Sequence, residues 1–186
     1  LAIVDPPYGI NISEDLYKRG KSCKKNGYRE WGNKDWDKFK PNEEYFKELF
    51  RISRNQIIWG GNYFKLPPSR CWIVWDKGQR NFSFADGEMA WTSFDKSMRI
   101  YEFSRGKLLQ QNKIHPTEKP YDLYRWLLKN YAKPGDKILD THLGSGSIAI
   151  ACWDMGFDLT GYEIDKDYFD AAVNRLENHK RQMQLF

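Results

Sequence analysis

Near the start of the chain, Asp5-Pro6-Pro7-Tyr8 joins a carboxylate, two prolines and a phenol. Consecutive prolines remove two backbone donors and fix φ twice, so the neighbouring carbonyls are rigidly aimed. Asp5 offers acceptor oxygens, the Pro6 carbonyl another acceptor, and Tyr8 a flat face. That set suits a planar ring bearing an exocyclic amino group: two acceptors hold its N–H bonds while the ring stacks on the phenol. A plain Pro-Pro turn with a surface Asp and Tyr is the alternative. A second group, Asp140-Thr141-His142-Leu143-Gly144-Ser145-Gly146-Ser147, places glycines where backbone can pass close to a ligand. Glu163 follows Gly146 by 17 residues, near the offset of about 20 at which an acidic residue takes ribose hydroxyls. Ala149 stands where a phosphate-binding G-x-G-x-x-G would have its third glycine, and no Lys-Ser/Thr pair completes a P-loop. An adenosine-containing ligand fits better than a bare tight turn.

These groups need elements to hold them. Leu1-Ala2-Ile3-Val4 reads as a strand buried on both faces, so the first motif sits at its carboxyl end, where open α/β sheets place ligands. Tyr45, Phe46, Leu49 and Phe50 have helical spacing and lead into a strand at 56–59 that Gly60-Gly61 stops. Strand-like runs follow at 71–75, 89–92 and 99–103. Pro120 suits a first helical position, with Leu123, Trp126, Leu127 and Tyr131 along one face. The last third reads strand 137–140, glycine loop, helix 147–155 capped by Gly156, strand 159–163, and a final helix that Asp165 caps and that carries Phe169, Ala172, Val173 and Leu176. The class is α/β, a doubly wound, mostly parallel sheet.

The chain has 186 residues, enough for one domain with a real core, and 16% aromatics argue against a disordered tail. A net charge of +5 permits an anionic partner without demanding one. No apolar run approaches the roughly 18 residues of a membrane span, and no signal peptide is expected. Cys23, Cys71 and Cys152 are odd in number and lack a CxxC pair, which disfavours a disulfide scaffold or zinc ribbon and fits a reducing cytoplasm. The three histidines have no partner at metal spacing, so no metal is expected. The first residue is Leu1, already inside a buried strand, so the N-terminus is expected to lack residues.

Taken together, the blocks resemble the β-class amino-group DNA methyltransferases, which use S-adenosylmethionine. In that class D-P-P-Y comes first, then a target-recognition segment, then H-P-T-x-K-P, then the cofactor loop and its acidic partner. Here Asp5 to Tyr8, His115-Pro116-Thr117-Glu118-Lys119-Pro120, Asp140 to Ser147 and Glu163 stand in that order. The runs Trp59-Gly60-Gly61-Asn62-Tyr63-Phe64 and Trp72-Ile73-Val74-Trp75-Asp76-Lys77 are similar to small phage and prophage members, implying the cytoplasm of a bacterial or phage-infected cell. The family usually has D-x-F-x-G-S-G-T; His142 and Ser147 depart from it, and Glu118 replaces a common Gln.

The resemblance implies a Rossmann-like methyltransferase domain over 1–186, with the catalytic motif in 1–12, a mobile basic loop at 13–41, target recognition at 80–105 and the cofactor half at 115–186. It assigns Asp5, Pro6, Pro7 and Tyr8 to catalysis. To S-adenosylmethionine it assigns His115, Thr117 and Lys119 beside the methionine portion, Asp140 on its amino group, His142, Gly144, Ser145, Gly146 and Ser147 in the loop, and Glu163 on the ribose. An exocyclic amine is a poor nucleophile because its lone pair is delocalised into the ring. Accepting its hydrogens at Asp5 and the Pro6 carbonyl localises that pair for in-line attack on a sulfonium methyl. Double-stranded DNA is the implied partner, its base flipped out of the stack onto Tyr8. Lys18, Arg19, Lys21, Lys24, Lys25 and Arg29 could track phosphates, although a solvated charge run reads nearly as well. So little recognition surface implies a short site or a homodimer. Asp as first motif residue favours adenine N6 over cytosine N4. RNA or protein-glutamine methylation, usual with Asn in that position, and a non-catalytic nucleotide-binding module are the other readings.

Overall fold

Ile3 packs with Ile57, Trp59, Ile73 and Trp75 in one buried cluster, whereas its neighbours Ala2 and Val4 pack with Ile58 and Trp91 in another. The two-residue period of extended chain thus feeds two cores on opposite faces of one sheet. The computed structural model describes residues 1–12, 37–81, 85–104, 106, 108 and 114–183. Its strands are β1 (Ala2–Val4), β2 (Gln56–Trp59), β3 (Trp72–Asp76), β4 (Gly87–Thr92), β5 (Arg99–Glu102), β6 (Lys137–Asp140) and β7 (Asp158–Gly161). They form a seven-stranded sheet in the order β5-β3-β4-β2-β1-β6-β7.

Pairing is parallel at β1/β2, β1/β6, β3/β5 and β6/β7, and antiparallel where β4 meets β2 and β3. Six strands therefore end at one edge of the sheet, and β4 begins there. The chain order switches direction across β1 and β6, which puts Asp5 and Asp140 side by side at the switch point, the usual ligand crevice of such sheets.

Among the described residues, four helices cover the two faces. The first, α1 (Glu43–Ile52), buries Phe46 and Leu49 against the Ala2 and Val4 side, and Asn42 caps it by accepting from the Tyr45 N–H at 3.0 Å. On the Ile3 side lie α2 (Tyr121–Tyr131) with Leu123 and Leu127, and α3 (Ser147–Met155) with Ile148 and Ala151. Pro120 is the N-cap of α2 rather than its first helical residue, a shift of one position. Helix α4 (Lys166–Met183) is capped by Asp165 as expected, through the N–H groups of Asp167 and Tyr168.

On α4, Tyr168 and Ala172 are buried, while Phe169 and Val173 are about 40% exposed. The glycine loop meets this helix closely: Gly146 lies so near Ala172 that a Cβ on it would come within 2.8 Å of the Ala172 methyl. Residues 80–105, expected to recognise the target, contain β4 and β5 of the sheet. Among the described residues no helix is long and apolar enough to cross a membrane. Leu127 is 0% exposed between α2 and the sheet, so Leu127→Ala should cost about 2–5 kcal/mol in a denaturant titration.

Candidate active site

Asp5 follows β1 directly, and both of its oxygens are engaged. Oδ1 accepts the Tyr8 hydroxyl at 2.7 Å and Oδ2 accepts the Lys119 ammonium at 2.5 Å. Each carboxylate oxygen keeps a second lone pair for an incoming donor. The Tyr8 ring stacks on Tyr63, with centroids 4.8 Å apart and planes 10° from parallel, and meets the edge of Phe64 at 6.2 Å. Burial, reinforced by the Asp5 charge, holds the Tyr8 phenol well above its usual pKa, so it stays a hydrogen-bond donor. Gly60, at φ 65°, passes directly against the same ring, where any Cβ would overlap it.

A residue with no motif to announce it fixes this loop. Asp37 is 1% exposed. Its Oδ1 accepts the N–H groups of Tyr8 (2.9 Å) and Gly9 (3.1 Å), and its Oδ2 that of Ile12 (2.9 Å). One carboxylate thus satisfies three backbone donors just after the two prolines.

The Lys119 side chain, 2% exposed, runs to Asp5 and to Glu88 Oε2 at 3.1 Å. It also lies 5.0 Å from the centre of the Trp59 ring. Glu88 Oε1 in turn accepts from Lys77 at 2.7 Å. Burial works against the Glu88 charge, but Lys119 and Lys77 outweigh it and hold the carboxyl at about 2. Burial also disfavours the Lys119 ammonium, and the Asp5 and Glu88 carboxylates reverse that, raising its pKa.

The glycine loop lies across the switch point. Asp140, 2% exposed at the end of β6, accepts the His142 N–H at 3.0 Å. Burial pushes its carboxyl up to about 7, with Asp5 and Glu163 adding to the rise and His142 and Lys119 opposing it. A ligand bringing an ammonium group would offset the cost of burying that charge, so the pocket fits such a group. Glu163 lies two residues past β7 and ties the loop down, its Oε2 accepting from Gly144 N–H at 2.8 Å and its Oε1 from Asp165 N–H at 3.0 Å. Gly144 and Gly146 both adopt positive φ.

His142, its pKa lowered to about 4 by burial, is neutral, and its Nδ1 lies 2.9 Å from Thr141 Oγ1, which also bonds the Tyr45 hydroxyl at 2.6 Å. His115 Nδ1 accepts the Thr117 N–H at 3.4 Å and its ring meets Tyr168 edge-on at 4.4 Å, beneath Gly144.

Glu118 has a structural partner. Its buried side chain lies 2.9 Å from Arg175 Nη1 and accepts the Ile114 N–H at 3.0 Å. Arg175 donates to the Ser145 carbonyl at 3.1 Å and to Ser147 Oγ at 3.2 Å. The departure from Gln at 118 is therefore matched by a cation on α4 that braces the glycine loop; Ser145 and Ser147 pair with each other at 3.0 Å.

The structure thus brings Asp5, Pro6, Pro7 and Tyr8 together with His115, Thr117, Lys119, Asp140, His142, the loop Gly144 to Ser147 and Glu163, at one sheet edge. Lys18, Arg19, Lys21, Lys24, Lys25 and Arg29 lie outside the described residues. Sequence reasoning missed Asp37, Glu88 and Arg175, none of which sits in a recognisable spacing, and it gave no role to Tyr63 or Lys77 within the family-like runs that hold them. Among the described residues no group of three or more His, Cys, Asp or Glu could hold a metal ion.

Known proteins resemble the chain in family and in fold. Residues 67–174 match the N6_N4_Mtase family model, described as DNA methylase. The chain is 26% identical over 163 residues to the type II methyltransferase M2.DpnII of Streptococcus pneumoniae, covering 88% of this chain and 57% of that protein, little more than half its length. The M1.HpyAVI–SAM complex superposes with a TM-score of 0.59 at 22% identity, covering 94% of this chain and 88% of that one. The PvuII DNA methyltransferase, which is cytosine-N4-specific, gives 0.54 at 13% identity, over 92% and 77%. At those identities the likeness is one of fold.

Asp140 gives a pH test. Its folded pKa of about 7 stands above the ordinary carboxylate value of about 4, so the ligand-free protein binds that proton more tightly when folded. The associated stability is complete below pH about 4 and is lost as pH rises through about 7. Urea midpoints should fall over that window, and Asp140→Asn should flatten the fall.

Proposed function

The chain belongs to the N6/N4 DNA methylase family, and from that premise we propose that it transfers the methyl group of S-adenosylmethionine to the exocyclic N6 amine of an adenine flipped out of double-stranded DNA. The observation that carries this reading is the pairing, across β1 and β6, of an amine-accepting corner with a glycine-lined cradle in which burial pushes the Asp140 carboxyl up to about 7.

S-adenosylmethionine supplies an electrophilic methyl on a sulfonium. The protein's residues do the rest. Asp140 takes the amino group of the methionine portion, and Glu163, still with free lone pairs, takes ribose hydroxyls. His115, Thr117, His142 and the loop Gly144 to Ser147 line the cradle. Asp5 and the Pro6 carbonyl accept the two amine hydrogens and turn the nitrogen lone pair toward the cradle. Tyr8 presents aromatic surface to the base; since Tyr63 already covers one face of that ring, the base either displaces Tyr63 or extends the stack. After transfer, the cationic nitrogen returns its proton through Asp5 to water.

Adenine is preferred over cytosine because Asp, rather than Ser, opens the motif. Residues 18–29 are proposed to follow DNA phosphates, and residues 80–105, with a second copy of the chain, to supply recognition surface. Cys71 and Cys152, free and buried, accord with a reducing cytoplasm.

Incubation with labelled S-adenosylmethionine and unmodified phage DNA, followed by nucleoside mass spectrometry, tests the reading. N6-methyladenine is expected; N4-methylcytosine would keep the mechanism and change the base; label in neither would overturn the reading. Asp5→Asn should lower kcat by about 10²–10⁴-fold while calorimetric affinity for the uncharged product S-adenosylhomocysteine stays within about threefold, about 0.7 kcal/mol. A large loss of affinity would move Asp5 from the base to the cofactor.

A further inference from the structure

Lys119 places a full positive charge, 2% exposed, directly on the carboxylate assigned to the base. A buried ammonium in that place creates a difficulty for the proposed reaction, because the methyl donor is itself a cation. Asp5, Asp140 and Lys119 lie within electrostatic reach of one another, so the donor's charge must settle close to the lysine. Repulsion between unit charges several ångströms apart is large wherever water is sparse.

The sheet supplies a remedy. Since β4 alone runs against its neighbours, its first residues reach the edge where the other strands end, and Glu88 stands there. Asp5, Lys119, Glu88 and Lys77 form an unbranched chain of alternating charge, with successive separations of 2.5, 3.1 and 2.7 Å. The four charges sum to zero. Without Glu88 the chain would carry one net positive charge at the point of methyl transfer.

We propose that Glu88 is a positioning residue that neutralises Lys119, so that the lysine can orient Asp5 without repelling a sulfonium cofactor. Glu88 touches neither the proposed base nor the proposed cofactor; it acts through Lys119. Its low pKa, held at about 2, keeps it charged at any working pH. Lys77, with 16% of its side chain exposed against 2% for Lys119, closes the chain at the solvent end.

This inference rests on the function proposed above, and its test separates the two. S-adenosylhomocysteine has a neutral thioether in place of the sulfonium and otherwise presents the same groups. Calorimetric affinities for both compounds are measured on the wild-type chain, Glu88→Gln and Lys77→Met. Glu88→Gln should weaken S-adenosylmethionine relative to S-adenosylhomocysteine by roughly tenfold, as repulsion at an effective dielectric near 20 requires. Lys77→Met leaves the chain net negative and should move the ratio the other way by a smaller factor. Equal losses for both compounds, or an unchanged ratio, would leave Glu88 a packing residue and overturn the inference. Should Glu88→Gln not fold, the shift in Lys77→Met decides alone. A wild-type chain that binds neither compound would bring down the functional reading, and this inference with it.

Discussion

An ammonium buried at the edge of a sheet sets terms for everything around it. Isolated, the charge of Lys119 would cost several kcal/mol of desolvation, so opposite charge must be held against it in fixed geometry. Two carboxylates from distant parts of the chain do so: Asp5 from the end of β1 and Glu88 from the start of β4. That requirement explains why one strand in an otherwise parallel sheet runs backwards usefully. It also explains why the segment carrying Lys119 is so firmly placed. His115 and Thr117 bond each other on one side of it, Glu118 is pinned by Arg175, and Pro120 caps α2 immediately after it.

Most of the architecture was legible in the sequence because it rests on local physics. Apolar runs closed by turn residues located the strands, and the spacing of Tyr45, Phe46, Leu49 and Phe50 located α1. The motif residues were legible too, since Asp5 to Tyr8 and Asp140 to Ser147 are contiguous. The burial of Ala172 against Gly146 was not legible, since it is a contact between residues 26 apart. Asp37, Glu88 and Arg175 were invisible for the same reason. Each is a single charged residue in a polar stretch, and its meaning comes wholly from partners brought near by tertiary structure.

Glu118 shows how a departure from a motif is read once its surroundings are known. A glutamate there places a charge where the family commonly has an amide, and alone it would be a buried anion. Arg175 answers it and, with its remaining hydrogen bonds, holds the backbone of the glycine loop. The region around Lys119 and the loop below it are thereby joined by one ion pair, so strain at either is felt by the other.

The Asp37 carboxylate concentrates the integrity of the corner at one position. Tyr8, Gly9 and Ile12 lean on a single side chain rather than on three independent partners. Its loss would orphan three backbone donors together, so the shape of a motif that is contiguous in sequence is held hostage by a residue 32 places downstream of Asp5.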